Sequence, residues 1–253
     1  MARISNEPTV VLHTRPYRES SQLLDLFTLN YGRVGAVLKG QRSKQRSLPV
    51  FARFAASWYG AGALVTLATP QDVQPLWLRG TAAPAGFYVA ELLVRLLRER
   101  EPMPELFAMT LYTLERCADG VDLRAALRPF EWQLLEELGC CPDFSALGAA
   151  GTAWYEVQAD GSLMPCDPAP AAVVRRPHRH HWSDGERLLV SAAAVEAIAE
   201  RSFDDVAVAG AARRLFRALI EPLLQGKPLR SRELLSPAVS GLARLPEHHD
   251  GRP

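Results

Sequence analysis

Up to about Arg79 the chain alternates short apolar, β-branched runs with Gly, Pro and Asn turns. TVVLHT from Thr9 is compact and β-branched, and SQLLDLFTLNYG ends in a turn signal at Asn30-Tyr31-Gly32. RVGAVLKG, VFARFAASWYG, GALVTLATP and VQPLWL follow at similar spacing. Short strands punctuated in this way predict a small barrel or sandwich. About five strands in roughly 80 residues fit an OB-type barrel. Periodicity by itself does not separate that fold from an SH3-like barrel.

The pattern changes near Gly80. In TAAPAGFYVAELLVRLLRER, Phe87, Leu92 and Leu96, with Ala90, Val94 and Leu97, recur at helical spacing. Pro84 suits a first turn, and Pro102 and Pro104 stop and restart the chain. A second helix is predicted from Glu105 to Ala118, closed by Asp119-Gly120. Asp122 is placed to cap a third, LRAALRPFEWQLLEELG, with Gly139 just past its end. Pro129 should bend that helix or mark its true start.

Regularity drops from Cys140 to about Ser183. AWYEVQADGSLMPC reads as a hairpin around Asp160-Gly161, and the Pro- and Arg-rich DPAPAAVVRRPHRHHWSDG as a loop. Helix is expected again at Glu186 and from Asp205 to Gln225. The latter should turn Val206, Leu215, Leu219 and Leu223 inward and leave Arg213, Arg214 and Arg217 on its polar side. The closing LPEHHDGRP looks frayed.

Charge sharpens this outline. The formal net charge is only +1 over 253 residues. Yet the stretch Arg33–Arg53 carries Arg33, Lys39, Arg42, Lys44, Arg46 and Arg53, and no Asp or Glu lies between Asp25 and Asp72. A basic loop on a β-rich frame is the footprint expected for a polyanion, and regularly spaced phosphates reward several cations at once. Barrel aromatics such as Tyr31, Phe51, Phe54 or Trp58 could stack on bases. They could equally be core, with the loop simply solvated.

Two further basic clusters stand out. GKPLRSREL places Lys227, Arg230 and Arg232 after Arg213, Arg214 and Arg217. They suit either more nucleic acid or an acidic peptide, or simply complement a helix dipole. Arg124 and Arg128, four apart on a predicted helix near Phe130, Trp132 and Leu134, could form a basic rim on an apolar groove. An exposed Arg pair on a packed helix is the plainer alternative.

Enzymatic chemistry finds little support. The sequence has no P-loop, nucleophile elbow or metal-spaced carboxylate cluster. His13, Glu19 and Asp25 are neighbours in sequence without forming an acid–base pair. The thiols of Cys117, Cys140, Cys141 and Cys166 do not look like a disulfide framework. His178, His180 and His181 lack the paired spacing of a zinc site and lie among cations. His248 and His249 sit in the tail. No metal or other cofactor is expected. No apolar run approaches the roughly 20 residues of a membrane helix, and the N-terminus lacks a signal-peptide core. A cytoplasmic protein is expected.

The segment VVLHTRPYRESSQLLDLFTLNYGRVGAVLKGQRSK resembles the N-terminus of the RecO recombination-mediator family. The likeness rests on the opening strand, the Tyr17, Glu19 and Ser20 element, the Leu-Phe-Thr strand, Gly32 and the Lys-Gly-x-Arg turn. GKPLRSRELL resembles the family's closing motif, and YVAELLVRLL and LRPFEWQLLEELG its helical domain. The resemblance implies an α+β chain: an OB barrel over residues 1–79, then a helical domain over 80–243 with an irregular insertion at about 140–183. A flexible tail over 244–253 follows. It implies binding of single- and double-stranded DNA, annealing of complementary strands, and action with RecR, and with RecF in some cases. The outcome is loading of RecA onto DNA coated by single-strand-binding protein, whose acidic C-terminal tail family members can dock. Arg124 and Arg128, or Lys227, Arg230 and Arg232, would suit that tail. Many members hold zinc with two C-x-x-C pairs. Here Leu147, Ala150, Met164 and Asp167 fall roughly where those ligands would be, and Cys166 is off by one, so the module reads as degenerate. Rival expectations are an adaptor for acidic tails with incidental DNA contact, and a metal hydrolase built on the His178 cluster.

Overall fold

The structure, a computed structural model, describes residues 3–40, 47–144, 153–158, 161–166 and 188–234. The alternating N-terminal pattern folds into five strands: β1 (Arg3–Tyr17), β2 (Ser21–Thr28), β3 (Gly32–Lys39), β4 (Arg53–Tyr59) and β5 (Leu64–Leu67). They close into a barrel in the order β1-β2-β3-β5-β4, with β1 pairing β4. The β3–β5 ladder is parallel and the others antiparallel. This five-stranded closed order is OB-like, which periodicity by itself does not decide. Inward positions such as Val11, Leu24, Leu26, Val34, Ala36, Leu38, Phe54 and Trp58 fill the barrel. β1 outruns the expected TVVLHT at both ends, and register shifts between Ile4 and Glu7 and between Val11 and His13 let it bend along two neighbours.

VQPLWL does not form the expected strand. Among the described residues its ladder is limited to one bridge, between Arg53 and Gln74.

The helical spacing then gives α1 (Ala82–Leu96), α2 (Pro104–Ala118) and α3 (Leu123–Glu137). Pro104 starts α2 one residue earlier than expected, as its ring permits at a first turn. Asp122 caps α3, accepting from the Arg124 N–H at 2.9 Å, and Gly139 follows its end at φ 66°. Pro129 therefore lies inside α3 rather than at its start. Phe87 is 43 % exposed, because α1 buries the stripe of Ala85, Tyr88, Val89, Leu92 and Leu93.

Beyond α3, β6 (Trp154–Val157) and β7 (Leu163–Cys166) make the expected hairpin. The helix expected at Glu186 is corrected: the described chain resumes as a strand, β8 (Leu188–Ser191), which pairs with β6. Ser191 then caps α4 (Ala192–Ala199). Asp205 caps α5 (Val206–Leu223), and α6 (Arg230–Leu234) follows. Val206, expected inward, is exposed at the first turn, whereas Leu215, Phe216 and Ile220 are buried.

Barrel and helices share one seam. Val10, Leu12, Phe27 and Phe51 leave the barrel interior and join the helical core, where Phe27 meets Phe107 edge-on at 5.5 Å. Gly32 sits at φ 61° with Glu101 so close that an added Cβ would fall 1.9 Å from its carbonyl oxygen. Gly86 similarly lets Leu78 and Phe51 press against α1.

Candidate nucleic-acid interface

Directly opposed residues in an antiparallel ladder share a face. The ladders therefore give an outer row Tyr17–Ser21–Lys39 at one end of the barrel, with Arg15–Leu23–Val37 beside it. Arg15, Arg18 and Lys39 are exposed there. Arg18 occupies the tight β1–β2 turn at φ 53°, with its guanidinium 5.1 Å from the centre of the Tyr17 ring. Glu19 is exposed in the same turn, so this described end carries three cations against one acid. Lys39 is the last residue of β3, and the basic segment leaves the barrel immediately after it. Arg42, Lys44 and Arg46 lie outside the described residues.

The returning chain is fixed by a residue that carries no charge. Gln22 is buried in β2, and its Oε1 accepts the Leu48 N–H at 3.0 Å while its Nε2 donates to the Leu48 carbonyl at 2.9 Å. Both roots of the basic segment thus sit at the same end of the barrel as Arg15 and Arg18.

Arg33 and Arg53 behave differently. Arg33 donates from Nη1 to Asp25 Oδ1 at 3.1 Å and from Nε to the Leu97 carbonyl at 3.2 Å, and its Nη2 lies 3.5 Å from Glu99. Its side chain is only 15 % exposed. Arg53 pairs with Glu115 of α2. The acids that answer these cations come from before and after the acid-free stretch. Both arginines are struts of the barrel–helix seam, not part of an open cationic surface. Asp25 is thereby committed to Arg33, with His13 Nδ1 3.6 Å away.

The expected stacking aromatics are corrected as well. Phe51, Phe54 and Trp58 are buried, the last two within the barrel. Tyr31 is half-buried and packs edge-on against Trp58 at 5.5 Å. The half-exposed Tyr17 is the aromatic beside the basic end.

In the helical region Arg124 is exposed, but Arg128 turns inward and is 4 % exposed, so the two do not form the basic rim expected from their spacing. Arg128 Nε donates to the Arg124 carbonyl, and its Nη1 meets Glu131 Oε2 at 2.7 Å as a charge pair without hydrogen-bond alignment. Tyr88 donates its hydroxyl to Glu131 Oε1 at 2.7 Å. Burial pushes the Glu131 carboxyl above its ordinary value against the opposing pull of Arg128, and pushes the Tyr88 hydroxyl up too, reinforced by Glu131.

Arg232 is likewise engaged, donating to Glu221 at 2.7 Å with its guanidinium 5.9 Å from the centre of the Tyr88 ring. Lys227 and Arg230 are exposed, as are Arg213 and Arg214, while Arg217 pairs with Glu221. The backbone around Lys227 and Arg230 is anchored to α1. Arg95 donates to the Lys227 and Pro228 carbonyls, and Glu91 accepts the Arg230 and Ser231 N–H groups and the Ser231 hydroxyl. Burial raises the Glu91 carboxyl, but the bonds from Ser231, Arg230 and Arg95 outweigh it and hold it below its ordinary value.

Among the described residues, no group of three or more His, Cys, Asp or Glu could hold a metal. Met164, at one of the positions aligned with zinc ligands, is exposed on β7; Leu147, Ala150, Asp167, His178, His180 and His181 lie outside the described residues. A cleft of about 200 Å³ beside Trp77, Arg79, Thr81 and Cys117 is lined by no carboxylate or imidazole. Burial pushes the Cys117 thiol up to about 11, well away from a thiolate at neutral pH. Among the described residues, no helix is long and apolar enough to cross a membrane.

Sequence reasoning misses Arg15, Arg18 and Gln22. Alternation along RPY offers a signal for Arg15, since His13, Arg15 and Tyr17 fall on one face once the strand is extended, whereas Arg18 lies in the turn beyond that alternation. Gln22 offers none, because its partner is backbone 26 residues away.

Comparison with known proteins identifies relatives along the whole chain. Residues 1–75 match the family model described as "Recombination protein O N terminal", and residues 80–233 the one described as "Recombination protein O C terminal". The chain is 36 % identical over 234 residues to a DNA repair protein RecO of Pseudomonas paraeruginosa, covering 90 % of this chain and 93 % of that one. It is 38 % identical over 257 residues to that of Alkalilimnicola ehrlichii, covering 96 % and 94 %. Identity to that of Methylococcus capsulatus is 35 % over 238 residues, covering 92 % and 93 %.

Proposed function

We propose a mediator's role on one premise: the chain belongs to the RecO family of DNA repair and recombination proteins. In this reading the protein performs no catalysis. It binds single- and double-stranded DNA through the open end of its barrel and anneals complementary strands. With RecR it helps to load RecA onto DNA coated by single-strand-binding protein, and RecF joins the same pathway. It works in the cytoplasm, associated with the nucleoid. The division of labour follows the segments 1–79 and 80–243, the first for nucleic acid and the second for protein contacts.

The observation that carries the DNA-contacting part is the convergence of Arg15, Arg18 and Lys39 at the end of a closed barrel from which the basic segment departs. Lys39, Arg42, Lys44 and Arg46 contact phosphates, joined by Arg15 and Arg18. Annealing needs no reacting group. Cations neutralise two backbones, their counterions are released, and base pairing proceeds. Arg33 and Arg53 leave the phosphate set because their charges are already answered in the seam.

The acidic tail of single-strand-binding protein is read by exposed cations of the helical region, Arg124, Lys227 and Arg230. Arg128 and Arg232 stand behind them in ion pairs and shape the surface. The adaptor alternative, in which tail binding is the main activity, draws support from the exposure of Lys227, Arg230, Arg213 and Arg214.

Annealing of complementary oligonucleotides by the wild type and by a Lys39/Arg42/Lys44/Arg46→Ala variant tests the reading. The variant should anneal slowly, and its single-strand salt slope should fall by about 0.7 for each phosphate no longer neutralised. Unchanged annealing with loss of tail binding in an Arg124/Lys227/Arg230→Ala variant would favour the adaptor instead.

A further inference from the structure

We infer that the outer face of β2, β3 and β5, flanked by Tyr17 and Tyr59, holds the unpaired bases of a single strand. The inference rests on reading the open end of the barrel as the DNA-contacting surface, and it adds which form of DNA that surface prefers.

The ladders define the face. Leu23 stands opposite Val37, Val37 beside Thr66, and Thr66 opposite Tyr59. Paired residues point the same way, and the adjacent pairs Leu24–Ala36, Ala36–Val65 and Trp58–Leu67 fill the barrel core. Leu23, Val37, Thr66 and Tyr59 therefore point outward. Leu64, two residues before Thr66, lies on the same side beside Gly35, where an added Cβ would come 3.0 Å from Leu64 Cδ2. Leu64 is 49 % exposed and Tyr59 47 %, and Leu23 and Val37 are half-buried. The barrel core is filled from the opposite face and does not use these side chains. A single exposed apolar residue calls for no explanation, but these adjoin from β2 round to β4.

Charge says what covers the band. Arg15 stands opposite Leu23, Arg3 opposite Tyr59, and Lys39 two residues beyond Val37 on the same side. All three are exposed. Toward the helices, the Asp25 carboxylate is taken up by Arg33. An apolar band edged by cations suits flat bases joined by phosphates. Tyr17 continues the band into the next row, Tyr17–Ser21–Lys39, with the Arg18 guanidinium 5.1 Å from its ring centre. With the cation over one face of the ring, a base can stack on the other while the guanidinium meets a phosphate. A duplex keeps its base faces stacked on one another and has none to offer. An unpaired strand has one per nucleotide.

The test uses the full chain and three labelled ligands: oligothymidylate, an abasic strand of the same length and charge, and a duplex. Each is titrated across a salt series. Tyr17→Leu and Tyr59→Leu should each weaken oligothymidylate binding about tenfold, with the salt slope and the affinities for the other two ligands as in the wild type. Tyr17→Phe with Tyr59→Phe should restore most of the affinity lost in the paired Leu variant. The wild type should hold oligothymidylate about a hundredfold more tightly than the abasic strand, the two stacks adding. That comparison needs no variant to fold. Equal wild-type affinity for the two strands overturns the inference, as does a Leu variant that loses affinity equally for all three ligands. Arg15→Ala with Arg18→Ala separates the two levels. If it lowers the salt slope while the Leu variants bind as the wild type does, the inference fails and the DNA reading stands. If neither the Arg nor the Tyr variants change binding to any ligand, the DNA reading of this surface itself fails.

Discussion

Cations of one acid-free stretch end up in different surroundings. Arg33 and Arg53 lie in the barrel–helix seam, where Asp25, Glu99 and Glu115 answer their charge. Lys39 lies at the opposite end of β3 from Arg33, on an open surface with Arg15 and Arg18. Counting charge along the chain treats the two as a single patch. Folding separates them, because the acids that neutralise the first pair arrive from elsewhere in the sequence. A basic run is therefore evidence for polyanion binding only after its long-range partners are subtracted.

The sharpest way to break this contrast is to damage the seam without touching the open end. Gly32→Ala would force a Cβ into the Glu101 carbonyl at a left-handed backbone position. Such a combined clash and strain should lower unfolding free energy by about 3 kcal/mol or more. The remaining folded protein should keep its salt slope for DNA. Chemical denaturation with parallel DNA titration reads both, and a Gly32→Ala protein of normal stability would show that the seam is looser than its geometry implies.

Arg33→Met is milder and more diagnostic. It keeps much of the aliphatic stem, removes the bonds to Asp25 and the Leu97 carbonyl, and should cost about 2 kcal/mol, in the range for hydrogen bonds to charged groups. Its DNA salt slope should match wild type, whereas removal of a phosphate-binding cation would register as a fall of about 0.7.

How much of the molecule is legible in its sequence varies by region. The barrel, the capped α3 and the hairpin are readable because local signals agree with the fold: alternation, Asp122 at a cap, and Gly161 at φ 88° between β6 and β7. β8 is not, since four residues of LLVS look like the start of a helix until β6 supplies a ladder partner. Val206 departs from expectation because an apolar residue at helical spacing can still face water at a helix's first turn. The chemistry of the open end is half readable. Its charge is written in the segment, but its geometry depends on Gln22 meeting backbone far along the chain, and no local pattern encodes that.

The C-terminal basic cluster repeats the contrast on a smaller scale. Arg232 is answered by Glu221, while the exposed Arg230 is held in place through its backbone by Glu91. The Glu91 carboxyl lies below its ordinary value in the folded chain. Its contribution is therefore complete above the ordinary carboxylate range and is lost as pH falls through the folded value. Amide resonances of Arg230 and Ser231 should lose their bonded positions over that acidic window in the wild type. In Glu91→Gln they should be insensitive to pH across it. Equal sensitivity in both would remove Glu91 as the anchor.

The most direct test of the contrast compares two variants of similar charge loss. Arg33→Met with Arg53→Met removes two cations from the seam; Arg15→Ala with Arg18→Ala removes two from the open end. Single-strand binding is measured by fluorescence anisotropy from low to high salt. The seam pair should lower stability and leave the slope unchanged. The open-end pair should leave stability within about 0.5 kcal/mol, as surface changes usually do, and reduce the slope by about 1.4, two phosphates at roughly 0.7 each. The reverse pattern, with the slope reduced in the seam pair and kept in the open-end pair, would contradict the account.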